Sequence, residues 1–317
     1  MQIDMQAAIQ HLEQAERILL TAHVHPDGDA IGSCLALCHV LKKMGKHVQV
    51  VLDDHMPDIY DILPGFNEIK RYDGETLAAD LVVLLDARPG RDGRICSSVS
   101  APVLNIDHHA SNDCSTDFAY VEPEAAATAE ILYGLFREWG IVIDEDIASC
   151  LYTGIATDTG FFAFQNTKPE ALEICADLLR AGAKPAEIAS AVRRKSFHEV
   201  EELARGLGTM ERFADGRAVG IFLDESFLDL ELTDDLIDMA RNIRGTELAV
   251  LLKAEGEDSC RVRMRSEELD VSKLAEALGG GGHREAAGAT IMSNFHQARK
   301  IFMENVHSYL NKKDVEF

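Results

Sequence analysis

The sequence predicts an α/β fold: a mainly parallel sheet flanked by helices, followed by a smaller C-terminal α/β unit. Three observations carry that expectation. Short apolar runs alternate with longer helix-like segments, the order that produces a parallel sheet between helices. Several of these runs end abruptly in acidic or imidazole residues. A second series of strand-like runs begins near residue 210, after a helical stretch.

Taken in order, "RILLT" (17–21) reads as a buried strand and "AIGSCLALCHVLKKMG" (30–45) as a helix ending at Gly45. "HVQVVL" (47–52), "LVVLLDA" (81–87) and "PVLNIDHH" (102–109) read as further strands. Helices are expected over 125–139, 145–157 and 169–181. Residues 184–208 read as a helical linker broken near Ser196. Beyond it come the strands "AVGIFL" (218–223), "ELAVLLKA" (247–254) and "CRVRMRS" (260–266). A helix over 271–278 then runs into "GGGGH" (279–283), and a last helix covers 295–310. The expected organisation is a catalytic domain over 1–183, the linker over 184–208 and a substrate domain over 209–317. There is no internal repeat and no low-complexity segment.

Composition narrows the function classes. The chain has 317 residues, 46% of them hydrophobic, enough for two ordinary domains with sizeable cores. No apolar run reaches the length of a membrane span, and the N-terminus lacks the basic-then-apolar order of a secretory signal. Seven cysteines, with no C-x-x-C pair, read as reduced thiols, so a cytoplasmic location is expected. The formal net charge is −23, and no basic run exceeds "RRK" at 193–195. Such a surface argues against long nucleic acid, whose binding depends on neutralising phosphates. A nucleic-acid substrate would be short and held locally.

Four polar clusters stand where an α/β sheet binds ligands, beyond the carboxyl ends of its strands. In "HVHPDGDAIGS", His23 ends a strand, and Asp27 and Asp29 flank Gly28. A plain turn, with Asp29 capping the next helix, is the structural alternative. Asp86 follows five apolar residues, a costly place for a carboxylate without compensation; a salt bridge to Arg88 or Arg91 is the simplest one. "NIDHH" places Asp107, His108 and His109 at another strand end. Asp158 closes an apolar helix, at the end that disfavours negative charge. Carboxylate and imidazole together suit Mn²⁺, Fe²⁺, Co²⁺ or Zn²⁺. Asp27, Asp29, Asp86 and Asp158 would repel one another in a dry cleft, and two divalent ions would cancel their charge. Such a pair can generate a nucleophile from water and steady in-line attack on phosphorus.

In the C-terminal part, consecutive glycines can turn backbone N–H groups toward an anion. Arg263 and Arg265 alternate along one strand and share a face, with surface salt bridges as the alternative reading. His11, His39, His198 and His307 read as ordinary helix or surface residues.

The four clusters, in this order, resemble motifs I to IV of the DHH phosphoesterase superfamily, and "GGGGHREAAGAT" resembles the signature of its DHHA1 domain. The similarity covers almost the whole chain, and the chain's length makes it similar to the stand-alone nanoRNase/pAp-phosphatase branch. The resemblance implies an active site in the cleft between the two domains. It implies that His23, Asp27 and Asp86 hold one ion, and that Asp29, Asp86, His108 and Asp158 hold the other, with Asp86 bridging. Asp107 would orient a histidine or the strand end, and His109 would face the substrate phosphate. His25, Arg284 and Glu285 receive no role. Arg265, Ser266, Gly280, Gly281, Gly282 and His283 would contact the nucleotide. Mn²⁺ is the implied metal, and a homodimer is implied. The expected activity is hydrolysis of short RNA oligonucleotides to 5′-mononucleotides, and of 3′-phosphoadenosine 5′-phosphate (pAp) to AMP. Alternatives are hydrolysis of linear dinucleotides from cyclic dinucleotide turnover, or a catalytically silent nucleotide-binding regulator.

Overall fold

The computed structural model describes residues 1–313, with side chains through Leu310. Positions 314–317 of the expected C-terminal domain lie outside the described residues. The chain divides into two compact units, Met1–Arg194 and Lys195–Phe317.

The first unit contains α1 (Met5–Gln14), β1 (Arg17–Thr21), α2 (Gly28–Lys43), β2 (His47–Leu52), β3 (Lys70–Arg71) and β4 (Leu81–Leu85). It continues with α3 (Ile95–Ser98), β5 (Val103–Asp107), β6 (Phe118–Val121), α4 (Thr128–Glu138), α5 (Glu145–Asp158), α6 (Pro169–Ala181) and α7 (Pro185–Arg193). Six strands form a sheet in the order β3-β2-β1-β4-β5-β6, with every pairing parallel. All five residues of β4 are buried, which explains why "LVVLL" shows no polar alternation. The same reason applies to α2, whose residues are buried from Gly28 to Leu41 apart from His39. It packs so closely on α5 that a Cβ at Gly32 would lie 2.4 Å from the carbonyl oxygen of Cys150.

The strand order reverses between β1 and β4. Loops leaving the carboxyl ends of these neighbours run to opposite sides, and the crevice they leave is where such sheets bind ligands.

The second unit contains α8 (Phe197–Leu207), β7 (Met210–Phe213), β8 (Ala218–Leu223), α9 (Thr233–Arg241), β9 (Leu248–Ala254) and β10 (Cys260–Arg265). It ends with α10 (Val271–Ala277), β11 (Gly281–Gly282), β12 (Ala286–Ile291) and α11 (Phe295–Lys313). The sheet order is β11-β12-β10-β9-β8-β7. Only β8 and β9 run parallel, so this smaller sheet is mixed. Leu274, Phe295 and Phe302 from α10 and α11 cover one face, while Leu203, Leu236 and Ile237 from α8 and α9 cover the other.

The helical stretch 184–208 is shared between the two units. Its first half is α7, inside the first unit, and its second half is α8, inside the second. The break falls at Ser196, which caps α8 through a reciprocal pair of bonds with Glu199. Among the described residues no helix is long and apolar enough to cross a membrane.

Candidate metal centre

The loops after β1, β4 and β5 bring the first three polar clusters together, and the end of α5 brings the fourth. Asp27 is the N-cap of α2: its Oδ1 accepts from the N–H groups of Asp29 (3.0 Å) and Ala30 (3.1 Å). Its Oδ2 lies 3.7 Å from His23 Nε2. Asp86, directly after β4, sits between two imidazoles, with Oδ2 3.4 Å from His23 Nε2 and Oδ1 3.5 Å from His108 Nε2. His108 Nε2 is also 3.5 Å from Oδ2 of Asp158, the last residue of α5. Donor atoms of His23, Asp27 and Asp86 all lie within 4.8 Å of one another, as do those of Asp29, His108 and Asp158, and those of Asp86, His108 and His109.

These separations suit shared cations better than hydrogen bonds. Two donors about 2.1 Å from one ion, at angles of 90–110°, stand roughly 3.0–3.4 Å apart. The imidazoles are also set for ligation. His23 Nδ1 is 2.8 Å from the carbonyl of Val24, and His108 Nδ1 is 3.3 Å from that of Ala125. Each Nδ1–H then donates to a carbonyl, leaving the Nε2 lone pair to face the carboxylates.

Asp29 does not cap α2, where Asp27 already does so. It caps α4 from a distance instead: Oδ2 accepts from Thr128 N–H (2.6 Å), and Oδ1 from Ala129 N–H (2.9 Å) and the Ser33 hydroxyl (3.2 Å). The Thr128 hydroxyl donates to Asp86 Oδ1 at 3.1 Å. The positive end of α4 thus steadies a fully buried carboxylate. Gly154 leaves room for it, since a Cβ there would sit 2.6 Å from both Asp29 Oδ1 and Ala129 Cβ. Gly154→Ala should therefore cost about 1–3 kcal/mol of stability and displace Asp29. A lowered Tm together with reduced bound metal is the expected result; an unchanged Tm and metal content would contradict it.

The electrostatics show what the donors need. Burial opposes charge on His23, yet Asp27 and Asp86 raise its pKa to about 10. His108 is raised in the same way, against burial, by Asp86, Asp29 and Asp158. Burial would lift Asp86, but His108 and His23 hold it well below the usual carboxylate range. Asp29 is driven up by burial and by the charges of Asp86 and Asp158. Burial likewise lifts Asp158, to about 7. With protein groups alone, the cluster keeps its charges compatible by taking up protons. Divalent cations would supply that positive charge without them, and an oxygen-plus-imidazole donor set fits Mn²⁺, Fe²⁺, Co²⁺ or Zn²⁺.

Asp107, at the end of β5, is fully buried, and its Oδ1 is 2.7 Å from His109 Nδ1. That contact, ahead of the burial opposing it, raises the His109 pKa. His109 Nδ1 lies 3.8 Å from Asp86 Oδ1, so the ring borders the cluster while being tied to Asp107. His25 points elsewhere: its exposed ring pairs with Asp54 at 2.8 Å. Three supporting residues, Thr128, Asn105 and Asn112, escaped sequence reasoning. Only Asn105 left a signal, as a polar residue inside the apolar run "PVLNI".

In the second unit, Arg263 pairs with Asp234 on α9 at 2.5 Å, and Arg265 lies 3.6 Å from the same carboxylate. Burial lowers the Arg265 pKa, against the pull of Asp234 and Asp238. Ser266 departs from expectation. Its buried hydroxyl donates to the Glu247 carbonyl (2.6 Å) and accepts from the N–H groups of Leu269 (2.8 Å) and Glu268 (3.2 Å). That hydroxyl is already used by the fold. The glycine run also has a packing reason. Gly281 and Gly282 pair with β12, and a Cβ at Gly280 would lie 2.2 Å from the Gly288 carbonyl oxygen. The run is an exposed hairpin edge, tight against β12 at Gly280 and Gly282 and open at Gly281. His283 stands exposed at its turn, exchanging backbone hydrogen bonds with Ala286.

Residues 17–155 match the model of the DHH family, N-terminal domain, and residues 222–311 match the DHHA1 domain. The chain is 35% identical over 298 residues to the bifunctional oligoribonuclease and PAP phosphatase NrnA of Thermus thermophilus, covering 93% of this chain and 90% of the relative. To the protein of the same name from Bacillus subtilis it is 28% identical over 289 residues, covering 88% of this chain and 90% of the relative. An exopolyphosphatase-related protein from Bacteroides fragilis matches with a TM-score of 0.87 at 26% identity, over 96% of each chain. With geometry, motifs and relatives in agreement, the chain belongs to the DHH phosphoesterase family, in the form that carries a DHHA1 domain.

Proposed function

We propose that this protein is a two-metal phosphoesterase that hydrolyses short RNA oligonucleotides to 5′-mononucleotides and also converts pAp to AMP. The observation that carries the reading is a pair of three-donor groups linked through His108 and Asp86 at the point where the sheet order reverses. The names of the Thermus and Bacillus relatives support the substrate class. A silent regulator would have no need of so complete a donor set.

In this reading His23, Asp27 and Asp86 hold one ion, and Asp29, Asp86, His108 and Asp158 hold the other. Mn²⁺ is our choice of metal. Bound there, divalent ions supply Lewis acidity and a strong nucleophile from water at neutral pH. The protein's part is orientation. The α4 N-terminus fixes Asp29, the carbonyls of Val24 and Ala125 fix the two imidazole rings, and Asp107 fixes His109. With Nδ1 held by Asp107, Nε2 is the His109 nitrogen left to meet a phosphoryl oxygen. Arg265, the hairpin edge and His283 hold the nucleotide by charge and position. The cytoplasmic location and the homodimer belong to the same proposal.

The test is turnover with Mn²⁺ on pAp, linear dinucleotides and RNA of two to twenty nucleotides. With a net charge of −23 the chain has little means of gripping a long polyanion. Activity should fall steeply from the dinucleotide to the twenty-mer. Equal kcat/KM on both would contradict the short-substrate reading, and no turnover of any would sink it.

Arg265 separates nucleotide binding from metal chemistry. Arg265→Ala should lower kcat/KM for a dinucleotide roughly 10- to 150-fold, the worth of a charge-assisted contact. Hydrolysis of bis-p-nitrophenyl phosphate, which has no nucleotide to hold, should be spared. Parallel loss on both substrates would leave Arg265 a structural residue.

A further inference from the structure

We propose that Asn105 and Asn112 form a positioning relay that sets two parts of the site together: the backbone turn carrying Asp86 and the ring of His109. The inference rests on the proposed function, and assigns roles to two residues outside the ligand set.

Asn105 lies in the middle of β5 and is fully buried. Its amide donates to the carbonyls of Leu84 (3.0 Å) and Ala87 (2.9 Å), which bracket Asp86. Asp86 needs that brace, because its φ of 53° is left-handed, a conformation a non-glycine residue keeps only when its surroundings impose it. The ladder from β5 reaches as far as Asp86 N–H, which donates to Ile106. Beyond that point the Asn105 side chain holds the turn.

Asn112 joins this brace to His109. One of its amide hydrogens goes to Asn105 Oδ1 (2.7 Å) and the other to Asp107 Oδ2 (2.6 Å). Its own oxygen accepts from Cys114 N–H at 2.9 Å. Asp107 Oδ1 in turn takes the N–H of His109 (3.2 Å) and its Nδ1 (2.7 Å). The carbonyls of Leu84 and Ala87 can only accept, so the orientation of both amides is fixed along the chain. The relay runs from the Asp86 turn through Asn105, Asn112 and Asp107 to the His109 ring. Aspartate at either asparagine position would set acceptor against acceptor.

The test uses the full chain. Asn112→Leu removes the two donors, and Asn112→Asp keeps the shape while reversing their polarity. Both should stay folded and keep bound Mn²⁺, at a somewhat lower Tm because the buried Asn105 and Asp107 oxygens lose a donor. Both should lower kcat on a dinucleotide roughly 10- to 100-fold with little change in KM, the scale of loss for outer partners of a metal site. Asn112→Asp should be the worse of the two, the reverse of what a packing role predicts. In metal-free protein the ¹⁵N resonances of the His109 ring should move from their wild-type positions in both variants, because Asn112 no longer fixes the Asp107 carboxylate that holds Nδ1. Asn105→Leu should weaken Mn²⁺ binding by a similar factor, read by calorimetry without turnover. Asn112 is only half-buried, so its variants decide the matter even if Asn105→Leu does not fold. Ring spectra and kcat unchanged in Asn112→Asp, or activity lost only in step with Tm, would overturn the relay. Absence of wild-type turnover would instead strike the proposed function, and the ring spectra would still judge the relay.

Discussion

Asp86→Asn is expected to abolish turnover and strip the protein of metal. The two oxygens of Asp86 face different imidazoles, His23 and His108, so one side chain serves both donor groups. An amide keeps the shape, but removes the charge and one of the two oxygen donors. Removing one member of a group that acts as a unit costs roughly 10⁴–10⁶-fold in kcat. Asparagine is a cleaner replacement than alanine, because Asp86 has a φ of 53° and asparagine tolerates the left-handed region. The variant should therefore fold. Metal analysis of the purified protein and kcat on a dinucleotide are the measurements. Two ions per chain with normal turnover would remove Asp86 from the site.

The second large effect divides the two adjacent histidines. His108→Ala should weaken the group formed with Asp29 and Asp158, and activity should fall with metal content. His109→Ala should leave metal nearly intact and lower kcat roughly 10²–10³-fold, as expected for loss of one contact to the transition state. The division rests on what each Nδ1 does. His108 gives its Nδ1 to a backbone carbonyl and turns Nε2 to Asp86 and Asp158. His109 commits Nδ1 to the buried Asp107, the nitrogen that would otherwise approach Asp86. Equal metal loss from both variants would make His109 a ligand.

The proposed ligand set was legible in the sequence because each cluster stands at the end of an apolar element or within a few residues of it. A carboxylate or imidazole at the end of "RILLT", "LVVLL", "VLNI" or α5 has no local reason to be there, and the order of the four clusters names the family. The supporting residues were less visible. Thr128 and Asn112 are ordinary helix-start and loop residues, and their partners lie on other segments. Strands β3, β6, β7, β11 and β12 and helices α1, α3 and α9 were also missed. "AAGATI" has the small residues of a turn, and becomes a strand only because β10 and β11 pair with it. The packing of α8 and α9 over the second sheet is equally unmarked.

By itself the sequence determined the parallel α/β character of the first unit, the four clusters and the chemistry they suggest, since periodicity, apolar runs and donor types are local properties. Tertiary structure decided which carboxylate does what. Asp27 and Asp29 are two residues apart and look interchangeable. Asp27 caps its own helix, while Asp29 reaches the start of α4, about a hundred residues away in the chain. It likewise decided that Ser266 serves the fold and that the glycine run is a hairpin edge. For Asp29 and Ser266 a deciding partner is a backbone group outside the local segment, the Thr128 and Ala129 N–H groups and the Glu247 carbonyl, and a main-chain N–H or carbonyl has the same chemistry at every position until folding brings it near.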